Sequence, residues 1–246
     1  MPQKTDKTQA IVLTTIPIND RSQFVHLYAQ QFGRITCRVP VLARGRKASQ
    51  LRNMMSPMTL LDLVLNSHPG DAIHGIGEAV VLQSPYLYTY SNPGKGAQCQ
   101  YMAELIEHTV REEEANPRLW DYLTAAMDIL QHSDEGWANF HLLFTTGLCR
   151  HLGFSVDTDS FTRGCQFDLV EGVFTTEPIY HSYYFNPTSA QWFCYLFKIS
   201  FTDMPRLTLN RQQRATLLDM LLAFLAQHIP EMGHLRSIEV LKTLFD

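Results

Sequence analysis

Apolar side chains fall on different periods in the first third of the chain and in the rest. Residues 10–18, AIVLTTIPI, are rich in β-branched side chains and end at the turn pair Asn19-Asp20, which predicts a strand. QFVHLYAQQFG (23–33) is a second apolar stretch, and Gly33 opens a third, RITCRVPV. If 34–40 is a strand, its period of two puts Arg34, Thr36 and Arg38 on one face and Ile35, Cys37 and Val39 toward a core. MTLLDLVLN (58–66) and the stretch from Ile76 to Leu82 complete about five short strands in some 80 residues, the pattern of a small barrel or sandwich.

From residue 86 the period changes. LYTYSNPGKGAQ (87–98), with Asn92, Pro93, Gly94 and Gly96 as breakers, reads as a connection. Residues 97–114 then place Tyr101, Leu105, Ile106 and Val110 near helical spacing. Asn116-Pro117 supplies an N-cap and a first-turn proline for a helix whose apolar side is Leu119, Leu123, Met127 and Leu130. A third helix over 136–153 stops at Gly153. An irregular insert at about 154–188 follows, with a hairpin expected around Glu171-Gly172 and the aromatic run Tyr180, Tyr183, Tyr184 and Phe185 expected in the core. His181 is expected to make a structural hydrogen bond, and three more helical stretches close the chain. The fold class is therefore α+β in two domains. A barrel over 1–85 precedes a mostly helical domain over 86–246 that carries the insert.

Composition changes this picture little; charge changes it more. Hydrophobic residues make up 45% and charged residues 18% of the 246, which suits a soluble protein with a sizeable core. No uncharged apolar run approaches membrane-spanning length and the N-terminus lacks a signal peptide, so a cytoplasmic location is expected. Five scattered cysteines without a CxxC pair point to free thiols rather than disulfides. Net charge is −4, yet the chain carries a balance of +4 up to Pro85 and −8 after it. No Asp or Glu occurs between Asp20 and Asp62, and within that span lie Arg34, Arg38, Arg44, Arg46, Lys47 and Arg52.

Catalytic chemistry finds no support. His141, Cys149, His151 and Cys165 are available to a metal, but structural zinc sites show close ligand pairs and none exists here, so no metal and no cofactor are expected. There is no G-x-S-x-G elbow. Gly75-Ile76-Gly77 lacks the third glycine of a dinucleotide fingerprint, and Asn92–Gly96 lacks the spacing of a P-loop. The run Glu112-Glu113-Glu114 reads as a solvated face. A basic segment free of acid, by contrast, draws phosphates, because neutralising them releases condensed counterions. Arginine adds bidentate phosphate contacts and stacking on bases. Its place in a small barrel, with 43–47 as a loop, favours nucleic acid as the ligand.

The order of short motifs resembles that of RecO, a family of bacterial recombination mediators. Phe32-Gly33-Arg34 resembles that family's H-G-R turn, and Ala43–Lys47 with Leu51-Arg52 resembles its basic loop. Ser56-Pro57 with Leu60-Leu61, Leu152-Gly153-Phe154, and the ending from Leu235 to Phe245 match further segments in the same order. The resemblance implies an N-terminal OB-fold barrel and a helical domain, binding to single- and double-stranded DNA, annealing of complementary strands, and no enzymatic activity. It also implies partnership with RecR, and with single-stranded DNA-binding protein through its acidic C-terminal tail, so that RecA is loaded onto covered strands at the nucleoid. For that tail, Arg150, Arg206, Arg211 and Arg214 are candidates by charge. One departure stands out. Many members carry a four-cysteine zinc site after the L-G-F segment, whereas residues 157–165 hold only Cys165. Packing of Phe161, Phe167 and Phe174 with the tyrosines is expected to hold the insert instead.

Two readings follow. One is a DNA-binding mediator that uses Arg34, Arg38, Arg44, Arg46, Lys47 and Arg52. The other is an adaptor whose basic barrel segment meets an acidic partner protein. The salt dependence of DNA binding separates them.

Overall fold

A computed structural model of the chain describes residues 4–40, 51, 54–67, 72–230 and 232–244. Five strands form a closed barrel: β1 (Lys4–Asn19), β2 (Ser22–Ala29), β3 (Gly33–Pro40), β4 (Leu60–Ser67) and β5 (Ile73–Gln83). Their spatial order is β1-β2-β3-β5-β4, with β3 and β5 parallel over three pairs and every other pairing antiparallel. β1 is long enough to serve two neighbours, pairing with β4 from Lys4 to Ile11 and with β2 from Ala10 to Asn19. A register shift between Val12 and Thr14 accompanies the change of partner. Asn19 shapes the first hairpin, its Oδ1 accepting from the backbone N–H of Arg21 at 2.9 Å and of Ser22 at 3.0 Å.

The predicted alternation of β3 is present: Ile35, Cys37 and Val39 are buried, while Thr36 and both arginines face outward. With Ala10, Val12, Val25, Leu27, Leu61, Leu63 and Leu65 they form the barrel core. Each fully buried leucine or valine there stabilises the fold by about 1.5–3 kcal/mol.

Residues 87–98 are not a connection. One helical turn, α1 (Tyr86–Thr89), precedes α2 (Pro93–Thr109), whose N-cap is Asn92 with Oδ1 accepting from Lys95 N–H at 3.3 Å. The Asn-Pro pair thus starts a helix there, as Asn116-Pro117 does for α3 (Pro117–His132), where Asn116 Oδ1 accepts from Leu119 N–H at 3.1 Å. α2 is buried on nearly all sides, including Gln98, Tyr101, Met102, Leu105 and Ile106, so its sequence shows little amphipathic period.

The chain forms two compact units: Met1–Asp121 with Leu235–Leu241, and Tyr122–His234 with Lys242–Asp246. In the first, α2 lies with the barrel. Glu104 of α2 caps the start of α7 (Ser237–Leu244), its two carboxylate oxygens accepting from the N–H groups of Arg236 and Ser237, each at 2.8 Å.

The second unit contains α4 (Phe140–His151), β6 (Gln166–Asp168), β7 (Val173–Thr175), β8 (Tyr184–Phe185), α5 (Pro187–Lys198) and α6 (Arg211–His228). α4 ends as predicted, Gly153 taking φ +86° while Phe154 N–H returns to the Cys149 carbonyl at 2.8 Å. The expected hairpin joins β6 to β7 through Gly172 at φ +71°. Phe167 is its anchor, with ring centroids 4.8 Å from Phe174, 4.6 Å from Phe193 and 6.1 Å from Phe185, and Phe161 meets Phe174 edge-on at 5.4 Å. His181 Nε2 lies 3.2 Å from Asp168 Oδ2. The tyrosines, however, are not core: Tyr180 is 95% exposed, and Tyr183 and Tyr184 are exposed as well. Pairing of Phe185 with Phe167 turns that side of β8 inward, so the neighbouring Tyr184 must point out. All five cysteines are buried and free.

Two predictions follow from this packing. Gly33 has φ +68°, and a Cβ there would run into the backbone carbonyls of Glu112 and Glu114. Gly33→Ala therefore destabilises by at least about 2 kcal/mol, measured by chemical denaturation. His141, within α4, has its imidazole pKa pushed down from 6.5 to about 3, chiefly by burial and further by the Arg214 guanidinium. The folded chain keeps this ring neutral, while the unfolded chain protonates it below its ordinary pKa. Its contribution is therefore complete above pH 6.5 and is lost as pH falls toward 3. The expected slope in that window is up to about 1.4 kcal/mol per pH unit, and His141→Gln removes it when denaturation is compared at pH 7.5, 6 and 5.

Candidate nucleic-acid interface

The outward rows of β1, β2 and β3 build one surface. Antiparallel register sets Phe24 opposite Arg38, His26 opposite Thr36 and Tyr28 opposite Arg34, with Ile16 beyond Phe24 on β1. This surface is divided into a covered end and an open end.

At the covered end, Tyr28 is 1% exposed and stacks on Trp120 with centroids 6.3 Å apart. Its hydroxyl pKa is pushed up to about 12, first by burial and then by the Glu112 charge. Arg34 N–H donates to the Glu112 carbonyl at 3.0 Å. Its guanidinium meets Glu107 of α2, Nη2 lying 2.5 Å from Oε1, and Nη1 donates to the Glu107 carbonyl at 3.3 Å. His26 Nδ1 reaches the same Oε1 at 2.6 Å. The side chains of Glu112, Glu113 and Glu114 are exposed, as expected of a solvated face.

At the open end lies a groove of about 660 Å³ lined by Arg21, Ser22, Phe24, Arg38, Pro40, Ile73, His74 and Gly75. Arg38 is exposed and donates from Nη2 to Ser22 Oγ at 3.2 Å, which orients its guanidinium across the groove. Gly75 stands opposite Arg38 in the parallel β3–β5 register, so no side chain fills the space beside it. Ile73, 44% exposed, supplies an apolar wall, and Ile16, 43% exposed, stands opposite Phe24 on β1. Among the described residues the lining holds two arginines, one phenylalanine and no carboxylate, a set that suits phosphates and the flat faces of bases.

Arg34 and Arg38 thus share a face, as the alternation predicts, but only Arg38 opens on the groove. Arg44, Arg46, Lys47 and Arg52 lie outside the described residues. Arg21 and Phe24 join the site without having been singled out from the sequence. The available signal was that the acid-free span begins at Arg21 itself, directly after a turn pair. Asn92–Gly96, considered for an anion, is the capped first turn of α2, and Lys95 within it is buried.

The four arginines considered for an acidic tail have different surroundings. Arg150 donates to the Phe197 carbonyl and lies 5.8 Å from the Phe197 ring centroid. Arg214 is half-buried and donates to the Leu209 carbonyl at 2.6 Å, and burial lowers its pKa. Arg206 and Arg211 are exposed. Among the described residues, no group of three or more His, Cys, Asp or Glu side chains is placed to hold a metal ion, and no helix is long and apolar enough to cross a membrane.

The strand order and the short parallel closure define the first region as an OB-fold-like barrel, carried on a chain that continues into a helical domain. Residues 1–85 match the family model described as Recombination protein O N terminal, and residues 91–237 match Recombination protein O C terminal. The chain is 32% identical over 241 residues to the DNA repair protein RecO of Bacteroides fragilis, covering 98% of this chain and 99% of the relative. It is 29% identical over 239 residues to the DNA repair protein RecO of Phocaeicola vulgatus, covering 97% and 98% respectively. With that of Porphyromonas gingivalis the identity is 28% over 242 residues, again covering 97% and 98%. The chain belongs to the RecO family of DNA repair and recombination proteins.

Proposed function

We propose that the chain is a non-enzymatic, cytoplasmic recombination mediator that binds and anneals single-stranded DNA, and that with RecR it helps load RecA onto strands covered by single-stranded DNA-binding protein. In this reading residues 1–85 carry the DNA site, which also accepts duplex, and residues 86–246 face protein partners. The observation that carries it is the open groove, where Arg21, Arg38 and Phe24 converge on a lining that, among the described residues, holds no carboxylate. Arginines there meet phosphates, Phe24 stacks on a base, and Ile16 and Ile73 shield the stack from water. The basic residues at 44, 46, 47 and 52 follow β3 in sequence and are, in this reading, further contacts for the DNA. RecR and the acidic tail of single-stranded DNA-binding protein enter through family resemblance, and of the four arginines considered for that tail Arg206 and Arg211 are exposed.

Fluorescence anisotropy of a labelled single-stranded oligonucleotide against salt tests the proposal. Two phosphate contacts account for about 1.4 of the log–log slope on single strands, so Arg21→Ala/Arg38→Ala should bind more weakly with a slope shallower by that amount. Phe24→Ala should lose about 1–3 kcal/mol of binding with the slope unchanged, since a stacked base carries no counterion. A wild-type chain that binds no DNA at any salt concentration would instead favour an adaptor whose basic barrel meets an acidic protein.

A further inference from the structure

The outward row of β3 carries an arginine at each end, and only one of them faces open solvent. Arg38 lies in the groove, whereas Arg34, four residues away, is 24% exposed and bound to Glu107. Four residues of strand span about 13 Å, roughly two nucleotides of extended backbone, so an unhindered β3 would offer phosphate contacts at both ends. We propose that Glu107 ends the DNA-binding face by withholding Arg34 from it, and so sets how many nucleotides the barrel engages. This inference rests on the reading of the open groove as the DNA site.

The geometry is that of a stop more than of a strong structural ion pair. Glu107 Oε1 takes both neighbours, Arg34 Nη2 at 2.5 Å and His26 Nδ1 at 2.6 Å. Its Oε2 is buried and has no hydrogen-bond partner among the described residues. A carboxylate placed to stabilise an arginine uses both oxygens in a fork-to-fork pair. Here a single oxygen neutralises the guanidinium, while Nη1 is held by the Glu107 carbonyl. The carboxylate also puts a negative charge within a few ångströms of where the next phosphate would lie, and like charges at that range repel. Behind it, Arg34 N–H on the Glu112 carbonyl and Trp120 on Tyr28 close the same end of the sheet. A strand lying on Phe24 and Arg38 must therefore leave the surface before it reaches Arg34.

Salt titrations of oligonucleotide binding by the full chain test this with five variants. Glu107→Gln keeps the shape and the hydrogen-bonding atoms but frees Arg34 from its counter-charge. It should bind more tightly, with a slope steeper by about 0.7, the increment of one further phosphate. Arg34→Ala should match the wild type, and Arg34→Ala/Glu107→Gln should return to the wild-type slope. Glu113→Gln removes an exposed acid of the same region and should leave the slope unchanged. A Glu107→Gln slope equal to the wild type, a double variant as steep as Glu107→Gln, or a Glu113→Gln change of equal size would each overturn the role of Glu107. Should Glu107→Gln fail to fold, Arg34→Ala decides the matter, because a loss as large as that of Arg38→Ala places Arg34 on the DNA. The two levels separate cleanly. Weakened binding by Arg38→Ala without a gain in Glu107→Gln removes only the stop, whereas a wild type indifferent to DNA removes the site as well.

Discussion

Alternation in a closed barrel commits one row of every strand to the core and leaves the other as the only surface on which anything can dock. The inward row of this barrel is complete, running from Ala10 and Val12 through Leu27, Cys37 and Val39 to Leu63 and Leu65. What remains on β2 and β3 is a row of cross-strand pairs that includes Tyr28 with Arg34, His26 with Thr36, and Phe24 with Arg38. Two demands fall on them, the attachment of α2 and the binding of a ligand. α2 and the chain after it take the first pair and reach His26 of the second. The groove keeps the third, so in the reading proposed above the docked helix limits the extent of the site.

That attachment depends on a few positions with little freedom. Gly33 adopts a left-handed conformation and lets the carbonyls of Glu112 and Glu114 come against the β2–β3 hairpin, where a methyl group would collide. The same approach half-buries the Arg34 guanidinium, so that a carboxylate beside it offsets part of its desolvation. Glu107 supplies the compensation from the last turns of α2. A contact between helix and barrel thereby occupies one cation of the outer face, and in the reading proposed above structure and ligand range are coupled through a single carboxylate.

Much of this was legible in the residues and some was not, for definable reasons. The five strands, the two faces of β3, the apolar side of α3 and the hairpin at Gly172 all follow from local period or turn chemistry, which a sequence displays directly. The start of α2 was misread because Asn92, Pro93, Gly94 and Gly96 act as breakers in one context and as a cap with its first turn in another. The helix gave no counter-signal, since burial on all sides erases amphipathic period. The tyrosines at 180, 183 and 184 were placed inside by their size. The exposure of Tyr184 is decided by the pairing of β8 with β6, which puts Phe185 inward. In the candidate groove, Arg38 is singled out by charge, but Phe24 enters through cross-strand register and Arg21 from the turn between β1 and β2, relations between segments that no single segment carries.

Charge shows the same limit most sharply. The absence of acid from Arg21 to Leu61 is a property of the linear sequence, and taken linearly it makes Arg34 as available as Arg38. Folding returns Glu107 to that face from 73 residues away, and the Glu112 carbonyl comes with it. The acid-free span is therefore basic on one end of the surface and neutralised on the other. An electrostatic footprint read along a chain gives the sign of a ligand. Its boundary is drawn by whichever distant carboxylate the tertiary fold brings back, and here that carboxylate belongs to the helix the barrel needs.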